Sequence, residues 1–306
     1  DRFGRKPLVL FGAGVRSICS LGQFFTDSYT VFIVLEFFAQ AGVSIFTTSV
    51  TVLISDVTSR ENRGRFLAMR TLSGRVGQIA GPAAGGLIAT FAHLNHIFLF
   101  DSITKLSIVL VVLFLIQESQ RRPNRSQRGT ERAARVSLLT NLRPFADRTF
   151  IALGAAAVAG ALMQQGITYT VVPVHATDVI GIAPGGLGAL VSAAALLGVI
   201  AMYPNGVISD RFGRKASLVP GLLILAIGAL LLVLSPTYGA LFLAMAAFGI
   251  GEGVIMGTTQ AFVMDLAPEE SRGTFLGIWS LVRTVASVII PLGIGGLYEA
   301  FGPRPA

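Results

Sequence analysis

Long apolar stretches recur nine times along this chain, and they constrain its fold more than any other feature. They fall at about 7–26, 30–54, 66–91, 97–117, 149–173, 184–208, 216–235, 239–264 and 274–300. About 20 apolar residues span the hydrocarbon of a bilayer as a helix. Backbone groups in lipid find no water to bond to, so spanning stretches of this length must be helical. Segments such as LSIVLVVLFLI (106–116) and LLILAIGALLLVL (222–234) are apolar all round, so each face meets lipid or another helix. A mean hydropathy of +0.71 with only 13% charged residues fits the same class. The expectation is an all-α membrane protein with about nine transmembrane helices. The 35 glycines suit it, because small residues let membrane helices approach closely. Cys19, the single cysteine, lies inside the first stretch and reads as a packing residue.

The connections between stretches alternate in charge. Segments 1–6, 56–65, 118–148, 209–215 and 265–273 carry 3, 3, 8, 3 and 1 Lys or Arg, which is 18 of the 24. The intervening connections at 27–29, 92–96, 174–183 and 236–238 carry none. Cytoplasmic loops hold the excess of Lys and Arg, so residues 1–6, 118–148 and 209–215 are expected in the cytoplasm. The +8 net charge is explained by this asymmetry and implies a lipid bilayer as partner, not a nucleic acid. The Arg-rich stretch ESQRRPNRSQRGTERAARVS (118–137) has little apolar surface and reads as a polar linker.

A repeat organises the chain. DRFGRK stands at Asp1–Lys6 and again at Asp210–Lys215, an offset of 209 residues. The same offset relates Asp56 to Asp265, Arg63 to Arg272, Gly64 to Gly273 and Pro82 to Pro291. The first three apolar stretches therefore correspond to the last three, and a parallel duplication of this kind is one transporter architecture. The expected domains are 1–117, a linker at 118–148, and 149–306. If the copies are equivalent, the full pattern has twelve helices, with two before Asp1 and one after the last residue.

These features resemble the major facilitator superfamily of secondary transporters. Its signature is a glycine, three residues, then Asp-Arg-x-Gly-Arg-Arg/Lys. Gly206 with Asp210, Arg211, Gly213, Arg214 and Lys215 matches it, and Asp1, Arg2, Gly4, Arg5 and Lys6 match the part present in the first copy. Gly4 and Gly213 permit a tight turn. The resemblance implies a two-bundle fold, with family helices 3–6 and 7–11 present and helices 1, 2 and 12 lacking. It also implies that each aspartate latches against a helix of the opposite half. A second element, GQIAGPAAGG, matches the kinked helix 5 of the drug–proton antiporter branch through Gly77, Gly81, Pro82, Gly85 and Gly86. Proline kinks the helix there, and glycines four apart offer a smooth packing face. The arginine that branch carries on helix 4 is replaced by Phe38, and the nearest charge is Glu36.

Ionisable groups deep in a membrane are costly and mark pathways or pairs. Asp101 and Lys105, four apart, read as a structural pair. Arg16 and Glu36 are close enough in depth to pair, and Arg75 is placed to face a cavity. Glu252, in GIGEGVIMG, is the leading candidate for a proton-binding group, its glycines admitting water or a partner helix. Gln164 and Gln165 are uncharged cavity candidates, with Tyr169 on the face of Gln165.

The leading functional expectation is proton-coupled efflux of small amphipathic compounds by alternating access. A proton symporter for a sugar or organic acid is the alternative within transport. A non-transporting membrane sensor or scaffold, or an inactive fragment, is the alternative of another class. The sequence offers no Cys/His metal cluster, no GxxxxGK loop and no nucleophile–base motif, so no enzyme activity, metal or cofactor is expected. A monomer in the cell's inner (plasma) membrane is expected.

Overall fold

The computed structural model describes residues 5–58, 62–115 and 148–266, together with 279, 289–290, 293–294 and 296. Asp1, Arg2, Gly4, most of the linker and most of the ninth stretch lie outside the described residues. Eight of the nine expected stretches appear as helices: α1 (Arg5–Phe25), α2 (Tyr29–Val57), α3 (Arg63–Phe91), α4 (His96–Leu115), α5 (described below), α6 (Pro184–Phe212), α7 (Arg214–Val233) and α8 (Tyr238–Leu266). Six of them, all but α3 and α5, are long and apolar enough to cross a membrane by length and composition. Arg63, Arg65, Arg70 and Arg75 lower the hydropathy of α3.

The 209-residue repeat is written in the elements themselves. α7 begins 209 residues after α1, and α8 both begins and ends 209 residues after α2. Gly213, at φ 89°, separates α6 from α7 in a conformation that side chains other than glycine rarely adopt.

α5 differs from expectation. It begins as an α-helix over Arg148–Ala161 and continues at π pitch over Leu162–Val171. A short α segment, Val172–Val174, leads into a second π stretch, His175–Val179. The helix thus extends into the expected outer connection at 174–183, which shrinks to the residues around Gly181. His175 Nε2 lies 3.0 Å from the Ser235 carbonyl oxygen and ties this extension to the end of α7.

The chain forms two compact units, Asp1–Gly77 with Ala84–Gln127, and Gln78–Ala83 with Arg128–Ala306. In the first, α1 packs between α2 and α4. A Cβ on Gly12 would stand 2.7 Å from the Gly42 carbonyl oxygen, and one on Gly42 2.8 Å from that of Gly12, so α1 and α2 meet backbone to backbone. Ser17 and Ser102 exchange hydroxyl-to-carbonyl bonds of 3.0 and 2.9 Å between α1 and α4. In the second unit, α8 packs against α5, α6 and α7 around Val172, Leu190, Leu225, Leu241, Met245 and Phe248. Here too glycines set the approach: a Cβ on Gly198 would stand 2.7 Å from the Gly249 carbonyl oxygen.

The glycines of the kinked element do not play this part among the described residues. Pro82 lies inside α3, which continues through it. A Cβ on Gly77, Gly81 or Gly85 would meet nothing within 4 Å there, whereas Gly12, Gly42, Gly198 and Gly249 are the close-packing positions. Spacing marks where glycines can pack, and the neighbouring helices decide which of them do.

Candidate functional site

Two groups of polar side chains hold the candidate residues that lie deep in the apolar packing, one in each unit. The first is a charge network across α1, α2 and α4. Arg16 Nε donates to Asp101 Oδ2 at 2.9 Å, and its Nη1 lies 3.4 Å from Glu36 Oε2. Lys105 Nζ stands 3.6 Å from Asp101 Oδ1. Ser20 Oγ donates to Asp101 at 2.7 Å, while the Gln23 and Gln40 amides donate to Glu36 at 2.8 and 2.5 Å. Two cations face two carboxylates, so the network is neutral when all four are charged. Gln23 is fully buried, and its Oε1 has no partner among the described residues. The structure thus brings Arg16 and Glu36 together. The expected pair of Asp101 and Lys105 is present, and Arg16, the nearer cation to Asp101, joins it to Glu36.

The second group centres on Glu252, midway along α8. Gln164 Nε2, in the π stretch of α5, donates to Glu252 Oε1. The glycines around Glu252 are taken up by neighbouring helices. Gly249 and Gly253 abut the backbone of α6 at Ala194 and Gly198, and Gly251 abuts Leu225 of α7. Gln165 contributes its backbone carbonyl, which accepts from Thr170 Oγ1 at 2.8 Å, five residues on. Tyr169 stands within electrostatic reach of Glu252. The sequence reading placed Gln164 and Glu252 in the same inventory and did not foresee their bond, which joins helices 88 residues apart.

Each hexapeptide makes contacts inside its own unit. Lys6 Nζ donates to the Leu113 carbonyl oxygen at 2.8 Å, satisfying an acceptor that the last turn of α4 leaves free. Arg214 donates through Nη1 to Asp210 at 2.7 Å and to Ser209 at 2.9 Å, and through Nε to Asp265 at 3.0 Å. Asp265 was legible as the repeat partner of Asp56, but its bond to Arg214 was not. Just inside this edge, Asn205, Ser217 and Thr258 form a buried knot: Asn205 Nδ2 donates at 3.0 Å to both the Val254 carbonyl and Thr258 Oγ1. Ser217 completes it by donating to Asn205 Oδ1. Gly206, Arg211 and Lys215 lie beside these groups on α6 and α7, and Arg75 is half-buried on α3. No group of three or more potential metal ligands occurs among the described residues.

Comparisons with known proteins agree with this architecture. The sequence model described as Major Facilitator Superfamily matches residues 1–183 and 154–306. A tetracycline resistance protein (class C) of Escherichia coli is 23% identical over 98% of this chain and 74% of its own length. A Na(+), Li(+), K(+)/H(+) antiporter of Planococcus maritimus is 23% identical over 96% of this chain and 75% of its own length. The crystal structure of a bacterial homologue of the human lysosomal transporter Spinster superposes with a TM-score of 0.77 at 14% identity, covering 99% of this chain and 74% of that one.

Proposed function

Because the chain belongs to the Major Facilitator Superfamily of secondary transporters, we propose that it is a proton-coupled efflux carrier for small amphipathic compounds, with Glu252 as its proton-binding group. The observation that carries the proposal is the placement of Glu252: a carboxylate midway along an apolar helix, hydrogen-bonded to the neutral amide of Gln164. Desolvation disfavours a charged carboxylate and so raises its affinity for a proton. Such a group can take up a proton in one conformation and release it in another, and that difference in affinity lets a proton gradient drive the two states.

The carboxylates of the first unit are paired with cations: Asp101 contacts Arg16, Lys105 and the Ser20 hydroxyl, and Glu36 shares Arg16. Relatives named for tetracycline resistance and for exchange of alkali cations against protons support export and proton coupling respectively. The sequence of α3, with Gly77, Gly81, Pro82, Gly85 and Gly86 and the proline inside the helix, supports the antiporter branch. The paired hexapeptides support alternating access between two halves, with Asp1 and Asp210 as latches on the cytoplasmic side of the cell's inner membrane.

The test is Glu252→Gln in membrane vesicles. Gradient-driven export is expected to be abolished while exchange of compound across the membrane without a gradient persists. Export at the wild-type rate that still responds to the gradient would remove Glu252 as the coupling group. Movement of compound in the same direction as protons would favour a symporter of a sugar or organic acid.

A further inference from the structure

Asn205, Ser217 and Thr258 come from α6, α7 and α8, and all three are buried. Their hydrogen bonds close among themselves and one backbone carbonyl. A primary amide has two N–H donors, and each hydroxyl has one. Asn205 Nδ2 donates to the Val254 carbonyl oxygen and to Thr258 Oγ1, both at 3.0 Å. Ser217 Oγ donates to Asn205 Oδ1. Thr258 Oγ1 donates to the Val254 carbonyl oxygen at 2.9 Å and has Ser217 Oγ 2.6 Å away. Every donor of the trio thus has an acceptor, and a satisfied buried polar network holds its helices in one arrangement where apolar side chains would tolerate several. Closer to the α6–α7 turn, Arg214 joins the same three helices, through Ser209 and Asp210 of α6 and Asp265 of α8. We propose that Asn205 is the positioning residue for this Arg214 bridge, with the Ser217 and Thr258 hydroxyls as its partners.

Spacing ties the trio to the bridge. Asn205 precedes Ser209 by four residues, Ser217 follows Arg214 by three, and Thr258 precedes Asp265 by seven. Each member of the trio therefore shares a helix face with a member of the bridge. The bridge itself tolerates little displacement. Arg214 Nε reaches Asp265 at 3.0 Å, and sliding α8 by one residue moves that carboxylate about 1.5 Å, past the length of a hydrogen bond. Nor can the bridge set its own register. The Asp210 and Asp265 side chains are 71% and 55% exposed, and exposed ion pairs contribute little to holding helices together. The buried trio is shielded from water and suits that task. It is also particular to the second copy. At the 209-residue offset Arg214 and Asp265 correspond to Arg5 and Asp56, but Ser217 corresponds to Leu8, which offers no hydroxyl. The consequence for transport rests on the reading of the second hexapeptide as a latch, and the hold on Arg214 does not.

The experiment follows hydrogen exchange at the Arg214 side chain by NMR, in protein made with isotope-labelled arginine and held in lipid nanodiscs. It needs no transported compound. The Nε–H signal lost in Arg214→Lys identifies Arg214. Thr258→Val keeps the side chain's shape and removes the hydroxyl, whereas Thr258→Ser keeps the hydroxyl and removes a methyl group. Exchange at Arg214 Nε–H is expected to be about tenfold faster in Thr258→Val and in Asn205→Leu, and within about twofold of wild type in Thr258→Ser. A trio that only filled space would give the reverse order for the two Thr258 variants. Unchanged exchange in Thr258→Val, or exchange speeded as much in Thr258→Ser, overturns the positioning role, and this comparison stands even where Asn205→Leu does not fold. The latch is judged separately, by accumulation of ethidium in inverted membrane vesicles. Accumulation in Arg214→Gln at the wild-type rate removes the latch, and with it the consequence for transport, while the exchange rates still decide whether Asn205 holds Arg214.

Discussion

Arg16 contacts two carboxylates at once, and the lengths of its contacts decide what its loss would do. Without it, Asp101 keeps Lys105 at 3.6 Å and the Ser20 hydroxyl, while Glu36 keeps the Gln23 and Gln40 amides. Removing one partner of a fully buried charge pair costs about 3 kcal/mol, because a desolvated charge is left behind, and this half-buried network should cost less. Arg16→Met is therefore expected to lower the thermal unfolding midpoint in detergent by several degrees. Adding Glu36→Gln should restore part of the loss, since the orphaned charge goes too. An unchanged midpoint in the single variant would show that the network contributes little to stability. The four charges were legible in the sequence because each interrupts an apolar stretch. Their partners were legible only where spacing reports them: Lys105 and Asp101 are one turn apart on one helix, but Arg16 reaches Asp101 across 85 residues. Ser20, Gln23 and Gln40 carry no sequence signal of their own, since polar uncharged residues are common on helices.

At the scale of the helices, glycine does two opposite things. In open positions it costs helix stability, and alanine would gain roughly 0.5–1 kcal/mol. Where backbones touch, a methyl group has nowhere to go. Gly249 abuts the backbone of Ala194, so Gly249→Ala is expected to destabilise the second unit by about 2 kcal/mol. Gly239, with nothing within 4 Å of its Cβ position, serves as the control and should be neutral or slightly stabilising. Thermal unfolding of the two variants side by side checks this, and equal effects would mean that α6 and α8 are not held by that contact. Seven of the eight described helices were legible within a few residues, because an apolar stretch bounded by charged or turn residues leaves little freedom at its ends. α5 was the exception. Its start was legible, but π pitch has no compositional signature in an apolar segment, and the tie from His175 to Ser235 is tertiary. The sequence likewise flagged the glycines of α3 by their spacing, while the contacts that distinguish them from Gly12 or Gly198 come from neighbours far along the chain.

For the molecule as a whole, the duplication is the organising fact. The 209-residue offset seen in six letters of sequence reappears in the bounds of α1 and α7 and of α2 and α8. The two units nevertheless carry different polar groups within their helices: Arg16, Glu36, Asp101 and Lys105 in the first, and the bond between Gln164 and Glu252 in the second. The proposed proton-coupled export assigns Glu252 the site that loses its charge, while the network of the first unit keeps its own. Inverted membrane vesicles with an acid lumen test that claim directly, using a panel of amphipathic dyes that includes ethidium. The expected result is that at least one dye is concentrated in the lumen while the gradient stands, that its addition releases protons from the lumen, and that both effects vanish with an ionophore that collapses the gradient and with Glu252→Gln. Accumulation that continues at the same rate after the gradient is collapsed, or proton release that is unchanged in Glu252→Gln, would contradict it.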